Sequence, residues 1–533
     1  MTTLIIEKWK MILRTRLFIL LLVLLLPAGM KAQTYQQLTT YKMAQLFDWI
    51  GKLYVDTLNM DKFGEKIIRK TLQELDPHSM YISRDEVREM NEPLEGSFDG
   101  IGVSFNILND TILIISVIPG GPSEKVGIMD GDKIITINGE NVAGTGITSN
   151  GVRGRLRGMK DTEVSVGIRR SGYPELLPFR IVRGKIPLYS IDAAYKVTDD
   201  IGYIKLSRFA ASSSKEFDDA LQKLQKEGIT SLILDLTGNV GGYLETAAEL
   251  AAELLERGRL IVYTEGEHSP RREYRVRSNG AFTKGKLVLM IDERSASASE
   301  ILAGAIQDWD RGTIIGRRSF GKGLVQGQLV FADSSMIRLT VARYHTPTGR
   351  AIQKPYNTKN DEYATGTIGN RLRTGELTGE TSNVGADSLK YQTLVKQRTV
   401  YGGGGITPDI FVALDTSYYT NYYRQLIGLG IFNRFILNYV DKNRQQLKRQ
   451  YPTFERFDQQ FTVTETMMND LQDFAEKEGL TRNPELFAKS EQELRLWFKG
   501  YVARDLWDMS ELYQVVNRGD PIFLKAVEEI QKK

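Results

Sequence analysis

The stretch KLVLMIDERSASASEILAGAIQDWDRGTIIGRRSFGKGLVQGQLVF, residues 286–331, decides the fold of the chain. Its first apolar run, Leu287 to Ile291, has the length and composition of a buried strand. Three serines spaced by alanines follow, and apolar residues then recur at helical spacing from Ile301 to Ile306. A serine cluster therefore lies where a strand ends and a helix begins. The unpaired N–H groups of a helix N-terminus suit a developing oxyanion, so this cluster is a candidate catalytic site.

The same stretch places a lysine between two glycines on a tight turn, Gly321-Lys322-Gly323, after a short strand at 313–315 and before another at 324–331. A free lysine has a pKa of about 10.4, and a base for neutral pH needs that value lowered by about three units, or roughly 4 kcal/mol. Burial in a dry pocket lowers the pKa in this way. The glycines allow close backbone approach, and we expect Val325 and Leu329 to supply apolar walls.

The strand–loop–helix pattern also occurs upstream, with a buried strand at 232–236, a loop at 237–242 and a helix at 243–256. Such alternation predicts a mostly parallel sheet with helices packed on it. Both this loop and the loop at 294–299 follow strands, and sites in such sheets gather at the carboxyl ends of strands. The sequence therefore predicts a multidomain α/β protein with its site at this edge.

Composition excludes several kinds of chemistry. The chain has 533 residues, a net charge of +4, no cysteine and only three histidines. Without cysteine there are no disulfides, thiol nucleophiles or iron–sulfur clusters. None of the histidines lies in an HExxH or nucleophile-elbow motif, so a zinc hydrolase of the HExxH class is not expected, and a serine with a lysine base is the favoured nucleophile system. No metal or organic cofactor is expected. The small net charge, without a basic face, predicts no nucleic-acid partner.

Residues 1–32 are expected to be a secretory signal. Lys8, Lys10, Arg14 and Arg16 form a positive segment before the apolar run 17–26, and cleavage is expected after residue 32. The alternative is an uncleaved N-terminal anchor. The expected location is the periplasm, either as a free exported protein or anchored and facing that compartment.

Residues 93–172 form a separate β-rich unit. The run IPGGPSEKVGIMDGDKIITINGENV, 118–142, resembles a PDZ domain. In such a domain a glycine-flanked loop turns N–H groups toward a terminal carboxylate, and the peptide adds to a sheet edge. The expected carboxylate loop consists of Gly100, Ile101, Gly102 and Val103.

The sequence also predicts the organisation of the segments before and after the PDZ-like unit. Residues 33–92 are predicted to be helical, and His78, in a proline-containing turn, is expected to be structural. Residues 173–411 are expected to form the core, with a polar surface insertion at 357–399. Residues 412–533 are predicted to be a mostly helical extension. It either packs a core of its own or offers a dimerisation or partner-docking surface.

Together these motifs resemble the C-terminal processing peptidases, or tail-specific proteases, over about residues 40–411. The motifs are LDPHS, GYIKLSRF, LDLTGNVGG, SASASEI, SFGKGLVQ, HTPTGRAIQ, GGGGITPDI and the PDZ pattern. The resemblance implies an exported serine endopeptidase with a crotonase-like core, a Ser-Lys dyad and an inserted PDZ domain. Its implied substrates are polypeptides with free C-termini. The resemblance leaves open whether the protein has an activating adaptor and whether it forms a homo-oligomer.

The resemblance also implies roles for individual residues. The residues alone leave Ser295, Ser297 and Ser299 as candidates, whereas the family's spacing selects Ser297 as nucleophile. The base is then Lys322, oriented by Gln326. Oxyanion donors correspond to the N–H groups of Ala298 and Gly242, and the PDZ residue Arg157 corresponds to a coupling arginine. The family's usual arginine after LDL is Thr237 here, which puts a local arginine pairing in doubt.

Two other classes of protein compete with this interpretation. The first is a catalytically weak PDZ scaffold or adaptor, and the presence of all three residues Ser297, Lys322 and Gln326 argues against it. The second is an acyl-transfer or hydratase enzyme on a related α/β sheet, and the PDZ unit and the lysine turn argue against that.

Overall fold

The computed structural model describes residues 29–356, 365–381 and 389–532. The chain divides into two compact units, with the boundary between Thr71 and Leu72. The first unit contains helix α1 (Gly29–Leu53) and most of α2 (Met60–Gln73). Most of the predicted signal segment, residues 1–28, lies outside the described residues. Within the described ranges, no helix combines the length and apolar character that a membrane crossing requires.

The second unit begins with a short strand and a capped helix. These are β1 (Met80–Ile82), α3 (Arg84–Glu95) and β2 (Ser97–Gly100). Helix α3 starts at a capping box of Ser83 and Glu86. It ends at Gly96, whose φ of 73° places it in the left-handed region that closes helices.

A six-stranded antiparallel sheet follows. Its elements are β3 (Val103–Leu108), β4 (Thr111–Val117), α4 (Pro122–Lys125), β5 (Lys133–Ile137), β6 (Glu140–Asn141), α5 (Ser149–Leu156), β7 (Glu163–Arg169) and β8 (Leu177–Val182). The strand order is β3-β4-β5-β7-β8, with β6 on β5, over a core of buried isoleucines and valines. Strand β9 (Gly184–Pro187) pairs with β2, so the chain enters and leaves this unit through one antiparallel ribbon.

The region beyond this ribbon holds two large sheets and a two-stranded hairpin. Its elements are β10 (Ile191–Lys196), β11 (Ile201–Leu206), α6 (Ser213–Lys226), β12 (Ser231–Asp235), α7 (Leu244–Leu254), β13 (Leu260–Gly266), β14 (Ser269–Arg275), β15 (Lys286–Ile291), α8 (Ala298–Asp308), β16 (Thr313–Gly316), β17 (Leu324–Val330), β18 (Met336–His345), α9 (Thr365–Arg373), β19 (Leu389–Gln392), β20 (Thr399–Gly402) and β21 (Ile410–Phe411). The main sheet has the order β10-β11-β12-β15-β16-β21, and every pair except β10–β11 is parallel. The second sheet has the order β1-β18-β13-β14, with β17 on β18. The mostly parallel sheet with packed helices agrees with the sequence prediction.

Seven helices follow the main sheet. They are α10 (Asn421–Gly428), α11 (Ile431–Gln450), α12 (Phe454–Gln460), α13 (Glu465–Lys477), α14 (Pro484–Leu506), α15 (Met509–Val516) and α16 (Pro521–Gln531). Helices α10 to α15 share a buried aromatic and aliphatic core, as one of the two sequence interpretations expects. An assembly role for this extension stays a prediction.

The two faces of the main sheet are covered by helices from distant parts of the sequence. Helices α6, α7 and α8 bury one face, through residues such as Phe217, Leu250 and Leu302. The C-terminal helix α16 covers the other face, where Phe523 packs edge-on against Tyr203 at 5.4 Å between ring centroids. Strands buried on both sides explain the continuous apolar runs in the sequence.

Helix α11 also contacts the antiparallel sheet. Leu437 packs against Leu108 and Leu113, and Lys133 Nζ lies 2.7 Å from the Asp441 carboxylate. The extension therefore packs against both the antiparallel sheet and the main sheet.

The predicted polar insertion, 357–399, contains secondary structure where it is described. Helix α9 and the β19–β20 hairpin lie within it or at its end, and residues 357–364 and 382–388 are outside the described ranges. Glu376 pairs with Arg318 and Arg371 at 2.8 and 2.9 Å. Arg371, in the same segment as Glu376, also donates to the carbonyl groups of Arg318 and Ser319. These contacts hold the segment against the core, a feature that its polar composition did not indicate.

Candidate active site

Ser297 lies at the sharp transition from β15 to α8. It is the N-cap of α8 with a φ of 56°, a left-handed conformation that is uncommon for residues other than glycine. A Cβ on Gly241 would come within 2.8 Å of Ser297 Cβ, so only glycine fits at the neighbouring position. Ser297 lines a cleft, whereas Ser295 and Ser299 are buried and donate to the carbonyl groups of Leu236 and Asn239. The geometry therefore singles out Ser297 among the three serines.

Lys322 lines the same cleft, from the turn before β17. A Cβ on Gly323 would come within 2.7 Å of Gln353 N, so the backbone approaches as closely as the sequence suggested. No hydrogen bond or ion pair joins Lys322 Nζ to any group in the described part of the chain. Burial lowers the pKa of Lys322, and the nearby Arg338 lowers it further. A lowered pKa is what a lysine base requires.

One of the two predicted apolar walls of Lys322 is absent. Val325 is half-buried and lines the cleft, but Leu329 is 54% exposed. A register irregularity between Val325 and Gln326 interrupts the alternation of β17, so residues on the two sides of it do not share a face. The wall prediction for Leu329 is therefore wrong.

Glu300 joins the backbones of the two candidate catalytic residues. Its fully buried carboxylate accepts hydrogen bonds from the N–H groups of Ser297, Gly321 and Lys322 at 2.7–2.8 Å. It also accepts from Ser319 Oγ at 2.5 Å. Burial raises the pKa of Glu300 to about 7, against the lowering effect of these donors. Sequence reasoning did not assign this residue, although it ends the SASASE motif.

Tyr344 makes a second link between the same two residues. Its buried hydroxyl lies 3.1 Å from the carbonyl oxygen of Ser297 and also contacts that of Lys322. Sequence reasoning missed Tyr344, because nothing in the pattern of β18 indicates which of its residues faces the site.

Two free N–H groups lie beside Ser297. Gly241 N–H donates to Asn239 Oδ1, and Tyr243 N–H donates to Phe209 O. Within the described residues, no acceptor takes the N–H of Gly242 or of Ala298, the two predicted oxyanion donors. A Cβ at Gly242 would come within 2.0 Å of Phe209 O, which explains the glycine.

Gln326 lines the cleft but does not contact the lysine amine. Its Nε2 lies 3.4 Å from both Leu324 O and Thr340 Oγ1. The predicted orienting role of Gln326 stays a prediction.

His78 lies near the lysine as well as in a turn. Asp76 accepts from the N–H groups of His78 and Ser79, as expected for a structural turn. Burial lowers the pKa of His78 to about 4, and the charge of Lys322 adds to this effect. The imidazole is therefore neutral near pH 7.

Thr237, the departure from the family pattern, has a cationic neighbour. Lys205 Nζ donates to Thr237 Oγ1 at 2.8 Å and lies 3.0 Å from Asp235. A buried lysine on β11 thus pairs with the aspartate of the LDLTGN motif.

The cleft itself has a volume of about 690 Å³. It is large enough for several residues of an extended chain. Its lining combines apolar residues with a few charged ones: Leu94, Val240, Leu244, Glu245, Arg272, Tyr274, Ile301, Leu324, Gln328, Arg338 and Val341. The described residues contain no acidic and histidine cluster able to hold a metal ion.

A separate groove of about 240 Å³ lies between β3 and α5 of the antiparallel sheet. The predicted loop residues Ile101, Gly102 and Val103 line it, and Gly100 precedes them at the end of β2. Arg157 lies at its edge, 4.3 Å above the Phe98 ring, and pairs with Glu92 of α3 at 2.5 Å.

Models of known protein families match three parts of the chain. The model of peptidase family S41 matches residues 200–363, and a PDZ domain model matches 113–170. A family of unknown function matches 422–508. Among solved structures, a photosystem II D1 C-terminal processing protease has 24% identity and a TM-score of 0.35, covering 69% of this chain and 92% of its own.

Two relatives of known family show to which family the chain belongs. The carboxy-terminal processing protease CtpB of Bacillus subtilis is 34% identical over 332 residues, which cover 62% of this chain and 68% of that protein. A carboxy-terminal-processing protease of Bartonella bacilliformis is 32% identical over 324 residues, covering 60% and 73%. The chain belongs to the carboxy-terminal processing proteases of peptidase family S41.

Proposed function

We propose that this chain is an exported serine endopeptidase that captures polypeptide C-termini in its PDZ groove and cleaves the captured chain with a Ser297–Lys322 dyad. The observation that carries the proposal is the meeting of Ser297 and Lys322 at one cleft, with their backbones linked by Glu300 and Tyr344. A crotonase-like core is part of the proposal, as is a periplasmic location.

The chemistry follows from these positions. The neutral amine of Lys322 takes the proton of Ser297 Oγ, which attacks the peptide carbonyl carbon. The N–H groups of Gly242 and Ala298 stabilise the resulting oxyanion. The lysine then gives its proton to the leaving amine. Water attacks the acyl-enzyme with the same lysine as base and releases the new C-terminus.

The PDZ groove supplies the selection of substrates. A terminal carboxylate would bind the N–H groups of the 100–103 loop, and the peptide would extend β3 as an added strand. Arg157 is proposed to report occupancy, because it lies at the groove and pairs with α3, whose Leu94 lines the catalytic cleft. An adaptor and an oligomer are not required by this scheme.

The test is hydrolysis of an unstructured protein with an apolar C-terminus by the wild type and by Ser297→Ala and Lys322→Ala. We expect cleavage by the wild type alone, with a difference of about a thousand-fold or more. The pH profile should report a Lys322 pKa below that of an ordinary lysine. Cleavage that survives Ser297→Ala would contradict the assignment of the nucleophile. Peptide binding without any cleavage would favour the scaffold alternative.

A further inference from the structure

Arg338 is a cation of the catalytic cleft that lacks a carboxylate partner. It lies on β18 opposite Gln328 and donates from Nη2 to Asn91 Oδ1 at 3.0 Å. Its Nε is buried and has no hydrogen-bond partner, and no acidic group of the described chain forms an ion pair with it. Burial lowers the pKa of Arg338, because the environment disfavours the charged form.

The lining of the cleft as a whole carries more positive than negative charge. Among the described lining residues, Arg272 and Arg338 carry guanidinium charges, Lys322 supplies the amine that acts as the base, and Glu245 is the one carboxylate. A partly buried guanidinium without a counter-charge is costly, whereas a bidentate carboxylate satisfies both its charge and its donors. An arginine rather than a lysine suits such recognition, because its planar fork matches a carboxylate.

We propose that Arg338 forms a carboxylate-binding subsite of the cleft, which pairs with an acidic group of the bound polypeptide close to the bond that is cleaved. This inference rests on the endopeptidase function proposed above. An aspartate or glutamate side chain and a terminal carboxylate offer the same chemistry, so the experiment separates these two sources.

The first arm uses unstructured peptides with an amidated C-terminus and glutamate or glutamine at each of three positions on either side of the cleaved bond. At one position or more, glutamate should raise kcat/KM about ten-fold or more, mainly through a lower KM. The preference should fall to near one in Arg338→Met and be partly kept in Arg338→Lys. Arg272→Met, which removes another cation of the same cleft, should keep it.

The second arm compares free-acid and amidated forms of one peptide. A terminal carboxylate bound at Arg338 would give an acid preference that Arg338→Met abolishes. A preference due to the PDZ groove would persist in that variant. Each variant is measured at its own pH optimum, because Arg338 also lowers the pKa of Lys322.

Two results would overturn the proposal: a wild type that shows neither a glutamate preference nor an acid preference dependent on Arg338, or a glutamate preference that survives Arg338→Met. Failure of the wild type to cleave any peptide would instead contradict the endopeptidase function. In that case binding tests the subsite: the Kd values of the glutamate and glutamine peptides are measured with full-length Ser297→Ala. Tighter binding of the acidic peptide that depends on Arg338 supports the subsite, and equal Kd values refute it.

Discussion

Replacing Tyr344 by phenylalanine removes one hydroxyl from the site and leaves the ring. That hydroxyl contacts the carbonyl oxygens of Ser297 and Lys322. The carbonyl of Ser297 also accepts from the N–H groups of Glu300 and Ile301 at 2.9 and 3.0 Å, so it stays satisfied. The substitution therefore acts mainly on the peptide group of Lys322.

The size of the effect follows from that single lost donor. Leaving one buried carbonyl without a partner costs about 1–3 kcal/mol of unfolding free energy. A shift of the Lys322 backbone of up to about 1 Å lowers kcat by about ten- to a hundred-fold, because proton transfer depends on close alignment. KM should change by less than about three-fold, since the ring that lines the cleft is kept and the lost hydroxyl contacts carbonyl groups of the protein.

The assay compares kcat, KM and the pH profile of Tyr344→Phe with those of the wild type, and urea unfolding gives the stability change. Tyr274→Phe is the matched control, since Tyr274 lines the same cleft but lies on β14, away from both carbonyls. The acidic limb of the profile should stay in place, because the hydroxyl binds the lysine's carbonyl and not its amine. An unchanged kcat, or a limb that moves by a full pH unit, would refute this account of Tyr344.

Three further predictions concern the C-terminal helix, the PDZ groove and acid stability. Phe523→Ala should cost about 3–5 kcal/mol of unfolding free energy, because the ring is buried on the main sheet, whereas Leu524→Ala, at a position 50% exposed on the same helix, should cost under about 1 kcal/mol; equal losses in urea unfolding would contradict this. Arg157→Ala should lower the cleavage rate of a tailed substrate several-fold without unfolding the protein, while the nearby Arg155→Ala should not, and unchanged turnover would exclude the coupling role. Because the folded-state pKa of His78 is lowered from 6.5 to about 4, its neutral form supports stability above pH 6.5 and that support is lost as the pH falls through about 4. Between pH 7 and pH 4, His78→Gln should therefore lose up to about 3 kcal/mol less unfolding free energy than the wild type. Parallel urea titrations check this, and a larger loss in the variant would mean that the imidazole is charged in the folded state.

The sequence predicted the elements whose local pattern is strong. The apolar runs at 232–236 and 287–291 indicated buried parallel strands, and both form adjacent strands of the main sheet. The glycines around Lys322 indicated close backbone approach, which the contacts of Gly323 show. The residues alone did not choose among the three serines, because all occupy the same kind of sequence environment. The choice depends on which hydroxyls meet carbonyl groups from another strand and loop.

The rest of the site depends on contacts between distant segments. Tyr344 lies 47 residues after Ser297, and no spacing rule connects a residue on β18 with a carbonyl at the start of α8. The same limit applies to Arg338, whose hydrogen-bond partner among the described residues, Asn91, lies 247 positions earlier. Helix α16 is amphipathic in sequence, but nothing local shows that its apolar face covers strands far upstream, such as β11 and β12. A β-bulge likewise has no reliable sequence signal, which is why the wall prediction for Leu329 is wrong.

The most direct test of the central claim is to locate the covalent intermediate. The full-length protein would be incubated with an acylating inhibitor, such as a reactive ester or lactone, and the modified residue identified by mass spectrometry of its peptides. The account predicts one acyl group on Ser297, absent from Ser297→Ala and formed far more slowly in Lys322→Ala. An adduct on Ser295 or Ser299, or acylation of Ser297 that proceeds equally fast without Lys322, would contradict it.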